Sequence, residues 1–215
     1  MSQNYLPYPE VKAINEPAKK LLVFIHGLGS DGHDLISLAP FMQKDLPDCH
    51  FISPHGVEPY DMAPYGRQWF SLIDRAPSSI ISVTGVNIPL LAEIIKDKQE
   101  QLSLSNKDTI LVGFSQGTMM GLYLTLIQSE PFYAMVGFSG RLIPPPACNN
   151  LLTPICLIHG ESDGIVPAEA LSHCVKYLNS HNIKTASLLI PNLAHSIDAK
   201  GMEFAIKFIQ NIGVS

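Results

Sequence analysis

The chain has 215 residues, enough for one domain with a full hydrophobic core and tight for two. Apolar residues make up 46% and charged residues 15%, which excludes a disordered or solvating chain. A formal charge of −5, with no basic run beyond Lys19-Lys20, speaks against nucleic acid and against a polybasic membrane footprint, and points to small-molecule or protein partners.

Residues 1–10 carry neither the basic nor the apolar part of a secretory signal. Cys49, Cys148, Cys156 and Cys174 form no C-x-x-C pair and no zinc-like spacing. Free thiols in a cytoplasmic protein fit both observations. The 17 prolines and 15 glycines are spread along the chain, so they punctuate elements and do not form a linker.

The first strand signal is the apolar run 21–25, which ends in the glycine-rich loop His26-Gly-Leu-Gly-Ser-Asp-Gly32. A second run at 50–53 leads into a long strand-poor insertion, 54–75, that holds His55, Tyr60, Met62, Tyr65, Trp69 and Phe70. Long loops inside compact domains tend to serve binding. Trp69 and Phe70 are therefore expected either to line an apolar groove for a substrate or to anchor the loop to the core. Leu90, Leu91, Ile94, Ile95 and Leu102 then share one helical stripe, with Glu93, Lys96 and Glu100 off it.

Residues 109–129 are uncharged throughout, with Gly113, Gly117 and Gly121 at four-residue spacing, the outline of a membrane helix with a small-residue face. Ser115, Gln116 and Thr118 in its first half, and the lack of flanking basic or aromatic belts, favour a strand at 109–112 followed by a buried helix at 116–128. Further apolar runs at 134–138, 155–158 and 186–190 read as strands. A helix is expected at 167–179, and Met202, Ala205, Ile206 and Ile209 mark the inner face of a last one. Strands alternating with helices, and apolar runs without alternation, predict one α/β domain over 1–215. Its sheet is mostly parallel, with helices on both faces.

The junction Gly113-Phe-Ser-Gln-Gly117 carries the strongest chemical signal. A G-x-S-x-G between strand and helix is a nucleophile elbow, a strained turn that lifts the serine Oγ clear of the sheet. A serine hydroxyl needs a base, and behind such an elbow the acid and then the histidine follow in chain order. His195 lies in a loop after the last strand, whereas His173 and His181 fall in or beside a helix, and His159 precedes the best acid. Asp163, in Gly160-Glu-Ser-Asp-Gly164, follows the strand at 155–158. Glu161 is its near alternative, and Asp198 reads as a helix cap. The backbone N–H groups of Leu28 and Gln116 are the expected oxyanion donors. His26 reads as a supporting histidine; a metal site from His26, His33 and Asp34 lacks compact ligand spacing, and no cofactor is expected.

These motifs resemble the phospholipase/carboxylesterase family of α/β-hydrolases, which includes bacterial carboxylesterases and acyl-protein thioesterases. The resemblance runs through Phe24-Ile-His-Gly-Leu-Gly-Ser-Asp-Gly-His33, Ser53-Pro-His55, Arg67-Gln-Trp-Phe70, Gly113-Phe-Ser-Gln-Gly117, His159-Gly-Glu-Ser-Asp163 with Val166-Pro167, and Ala194-His195. It implies a serine esterase acting on acyl esters, thioesters or lysophospholipids, with Ser115, Asp163 and His195 as triad and Leu28 and Gln116 as oxyanion donors. It departs at Ser71, where many members carry Asp, and at Thr118, where many carry a second Gly. Alternatives are an acyl-protein thioesterase and a non-catalytic hydrolase-fold binding protein. Stable membrane insertion is not expected, and a homodimer is among the open oligomeric states.

Overall fold

The computed structural model describes residues 5–74 and 76–213. The first four residues of the N-terminal reading and Arg75 at the end of the insertion lie outside the described residues. In chain order the elements are β1 (Glu10–Val11), β2 (Lys20–Ile25), α1 (Gly32–Leu35), α2 (Ala39–Gln43), β3 (Cys49–Ile52), β4 (Glu58–Pro59), β5 (Arg67–Gln68), α3 (Pro77–Leu102), β6 (Thr109–Phe114), α4 (Gln116–Ile127), β7 (Ala134–Phe138), β8 (Ile155–Gly160), α5 (Glu169–Ser180), β9 (Thr185–Ile190) and α6 (Ala199–Gln210). Among the described residues the main sheet runs β1-β3-β2-β6-β7-β8-β9, with β1 antiparallel and every other pairing parallel.

Side-chain alternation along the inner strands divides the core in two. Leu21, Val23, Ile25, Leu111, Met135 and Leu157 point to the face covered by α3, α4 and α5. Leu22, Phe24, Ile110, Val112, Val136 and Ile158 point to the face covered by α1, α2 and α6. Both faces are dry, which is why these strands read as continuous apolar runs. Each such side chain contributes roughly 1.5–3 kcal/mol through burial. β9 departs from the expectation: it is the sheet edge, and Leu189 is 44% exposed because no further strand covers it.

The stretch with the outline of a membrane helix is broken into β6 and α4, and α4 is buried from Gln116 to Leu126. By length and composition alone the segment Ser78–Leu102 of α3 could cross a membrane. Its Leu91, Ile94 and Ile95 are buried, while Glu93, Lys96 and Glu100 stay outside, as the stripe predicts. Short α1 and α2 carry no sequence period long enough to be read, and neither do the two-residue strands β4 and β5, which pair inside the insertion.

The strand order reverses between β2 and β6. The loop after β2 leads to helices on one face and the turn after β6 to α4 on the other, so a crevice opens at their carboxyl ends. In open α/β sheets that switch point is where ligands bind.

Candidate active site

β6 ends at Phe114 and α4 begins at Gln116, so Ser115 alone makes the turn, at φ 53° and ψ −114°. That is a strained conformation for a residue with a Cβ. The flanking glycines are steric necessities. A Cβ on Gly117 would lie 1.7 Å from the Ile25 carbonyl oxygen, and one on Gly113 would lie 2.5 Å from the Thr118 nitrogen. The helix is thereby pressed against the end of β2, and Ser115 remains 8% exposed. Thr118, the departure noted above, donates its Oγ1 hydrogen to the Gly113 and Phe138 carbonyls at 2.9 and 2.8 Å. Its methyl occupies the room left by Gly137 and Gly140, where added Cβ atoms would come within 2.5 Å of the threonine.

The loops after β8 and β9 are stitched together. Glu161 N–H donates to Ile190 O and Ser162 N–H to Leu193 O, both at 2.9 Å, and a Cβ on Gly160 would collide with Leu193 O at 2.2 Å. This close approach sets Asp163 beside His195. His195 Nδ1 donates to Asp163 Oδ2 at 2.7 Å, and Ser115 Oγ lies 3.0 Å from His195 Nε2. Asp163 Oδ1 accepts from the Ile165 and Val166 amides at 2.9 and 2.8 Å. Burial pushes its carboxyl up, but the hydrogen bonds from His195, Val166 and Ile165 outweigh that and hold it below the usual carboxylate range. An ionised acid, an oriented imidazole and a serine at its far nitrogen form a chain able to move a proton off Oγ.

The other candidates fall elsewhere. Glu161 is exposed, Asp198 caps α6 by accepting from Gly201 N–H at 2.7 Å, and His173 is exposed on α5. The neighbouring strand repeats the Val-Gly-Phe-Ser turn in register, and Ser139 also has positive φ, 49°, but His195 is bonded to Ser115.

The loop after β2 passes beside Ser115: a Cβ on Gly27 would lie 3.3 Å from the Ser115 Cβ. Among the described residues, the N–H groups of Leu28 and Gln116 find no acceptor. Free donors at this end of the sheet and at the start of α4 can hold an anion. The insertion braces this loop. Gly29 N–H donates to Arg67 O at 2.9 Å, Arg67 N–H to Ser30 O at 2.7 Å, and Trp69 Nε1–H to His26 O at 2.9 Å. His26 donates from Nδ1 to Gly27 O at 2.7 Å and accepts the Gly56 N–H on Nε2 at 2.8 Å. Burial lowers its pKa to about 4, which suits a ring that must keep Nε2 bare.

The structure corrects the groove expectation for Trp69 and Phe70. Both are 0% exposed, so neither offers a wall to a ligand. They anchor the insertion, and the Gln116 side chain locks them: it accepts Trp69 N–H on Oε1 at 2.8 Å and donates from Nε2 to Phe70 O at 2.7 Å. Sequence reasoning used Gln116 only for its backbone. A glutamine at the first turn of an otherwise apolar helix is the one sequence signal, since an amide buried there must find partners; which partners, the fold decides. Ser71, the other departure, donates to Asp61 Oδ2 at 2.6 Å and so closes the same loop from outside.

The family model for Phospholipase/Carboxylesterase matches residues 6–212. Esterase YpfH of Escherichia coli (strain K12) is 30% identical over 205 residues, covering 93% of this chain and 86% of that protein. Acyl-protein thioesterase 1 of Kluyveromyces lactis is 28% identical, with 90% and 92% covered. Among solved structures, esterase PE8 superposes with a TM-score of 0.91 at 33% identity, covering 97% of this chain and 99% of that one.

Proposed function

The chain belongs to the phospholipase/carboxylesterase family, and from that membership we propose that Ser115, His195 and Asp163 carry out its ester hydrolysis through a covalent acyl-enzyme. The protein is a hydrolase of the carboxylesterase and thioesterase type, acting on small-molecule acyl esters. The observation that carries the assignment is the unbroken contact chain, 3.0 Å from Ser115 Oγ to His195 Nε2 and 2.7 Å from His195 Nδ1 to Asp163 Oδ2, on a strained elbow.

Ser115 Oγ attacks the acyl carbonyl carbon while His195 Nε2 takes its proton, and Asp163 stabilises the imidazolium so formed. The carbonyl electrons move onto oxygen, where the N–H groups of Leu28 and Gln116 hold the charge. As the tetrahedral species collapses, the bond to the leaving alkoxide or thiolate breaks and His195 returns the proton to it. A water, deprotonated by His195, then attacks the acyl-serine, and the carboxylic acid leaves with Oγ reprotonated. Trp69 contributes by holding the loop that carries Leu28, through its Nε1–H to His26 O, and Phe70 by anchoring the insertion to Gln116; both being buried, acyl contacts fall to other side chains.

Ser115→Ala should abolish labelling by a fluorophosphonate and lower kcat by at least about 10³-fold, the scale on which triads fail. Retention of more than about a tenth of wild-type turnover would remove the assignment. The thioesterase among the relatives makes thioesters a second substrate class. Matched octanoyl oxyesters and thioesters, compared by kcat/KM, separate the two.

A further inference from the structure

His159 is the second histidine beside Asp163, after His195, and has no part in the steps above. It is the last residue but one of β8 and is 2% exposed. Its Nε2 lies 2.9 Å from the Val166 carbonyl oxygen and 3.3 Å from Asp163 Oδ2. Both are acceptors, so Nε2 must carry a hydrogen, which it shares between them. The same turn is held from its other side, because Asp163 Oδ1 accepts the Val166 N–H at 2.8 Å. The result is a closed ring: Asp163 to Val166 through the amide, Val166 to His159 through the carbonyl, and His159 back to the carboxylate.

Resting on the reading of Asp163 as the acid, we propose that His159 is a positioning residue for it, a second donor that fixes the carboxylate toward His195 and shares its charge. A carboxylate with one imidazole donor would be free to rotate about its own axis and to swap oxygens. Here Oδ1 is committed to two amides, and Oδ2 sits between two histidines. The second donor also limits how strongly Oδ2 holds an imidazolium at His195, because negative charge drawn toward His159 is not available to the other ring. Among the described residues, the charged partner within reach of His159 is Asp163. On α5, packed against β8, Glu169 and His173 are exposed, and burial pushes the Cys174 thiol up to about 11 and keeps it neutral. His195 acts on the same oxygen from the loop after β9.

The test compares His159→Phe, which keeps a ring but no donor, with His159→Gln, which keeps an N–H. The readouts are kcat and KM on a p-nitrophenyl ester and the rate of Ser115 labelling by a fluorophosphonate between pH 5 and 9. For His159→Phe, kcat should fall on the order of tenfold with KM within about twofold, and the acid limb of the labelling profile should move up by about half a pH unit. His159→Gln should restore most of both. A folded His159→Phe with the wild-type rate and acid limb, or a His159→Gln as impaired as the phenylalanine variant, overturns the inference, because a merely structural ring would change the melting temperature and leave the limb in place. Should the phenylalanine variant not fold, His159→Asn, too short to reach Oδ2, reads the same limb with the same two outcomes. A wild-type protein that never labels at Ser115 overturns the triad reading itself, and this inference with it.

Discussion

Two segments at the carboxyl edge of the sheet are written almost alike, His26-Gly-Leu-Gly-Ser-Asp-Gly32 after β2 and His159-Gly-Glu-Ser-Asp-Gly164 from the end of β8, yet the structure gives their histidines, aspartates and last glycines different surroundings. Both histidines are buried. His26 faces an amide and must be an acceptor at Nε2; His159 faces a carbonyl and a carboxylate and must be a donor at the same atom. Both aspartates hold two amides of the residues that follow. Asp31 does so at the surface, as the cap of α1, whereas Asp163 is enclosed and turns its second oxygen to His195. Gly32 is a steric necessity, since a Cβ there would lie 2.0 Å from Ser53 O, while Gly164 has nothing within 4 Å. One residue of extra length in the first loop, and the neighbours each loop meets, turn one motif into a frame for the proposed oxyanion donors and the other into the holder of the proposed acid.

The largest break in that comparison comes from the aspartates. Asp163→Asn should leave a folded protein with kcat down by about 10³–10⁴-fold, because an amide cannot hold the Nδ1–H tautomer of His195. The measurement is kcat on a protein whose circular dichroism matches wild type. Full activity there would transfer the acid role to Glu161.

The histidine of the first loop comes next, through its response to acid. His26 is neutral in the folded state with its pKa lowered to about 4, so below pH 6.5 the unfolded chain takes up a proton that the folded chain refuses. Stability should therefore fall as pH drops from 6.5 toward 4, by on the order of 3 kcal/mol for this one group. Half-buried His55, also lowered by burial, adds with the same sign. Asp163, held below the usual carboxylate range, adds its own loss only at lower pH. Urea unfolding at pH 7 and pH 4.5 should show the loss, and His26→Gln, which keeps an acceptor for Gly56 N–H, should flatten it. An equal slope in that variant would assign the acid sensitivity to other groups.

The smallest effect sharpens the contrast from the quiet side. Asp31→Ala removes two hydrogen bonds from a surface cap and should cost about 1 kcal/mol in stability, with kcat unchanged. A loss of activity comparable to that of Asp163→Asn would mean that the first loop also carries chemistry through its aspartate.

The inner strands, α4 and the inner face of α6 were legible because burial on both faces of a parallel sheet, or on one side of a helix, writes a period into the residues themselves. Ser115 was legible for a related reason: the elbow is a local turn, and Gly113 and Gly117 are demanded by atoms close in sequence or in the adjacent strand. Asp163 and His195 could be ordered by position along the chain, but no local pattern says that Gly160 lets their two loops touch. The burial of Trp69 and Phe70, the buried amide of Gln116 that locks them, and the opposite duties of His26 and His159 belonged to tertiary structure alone. A side chain's hydrogen-bonding role is set by the atoms opposite it, and those atoms come from segments 30 to 47 residues away for His26 and Gln116. For His159 they come from a turn whose shape depends on the loops packed around it.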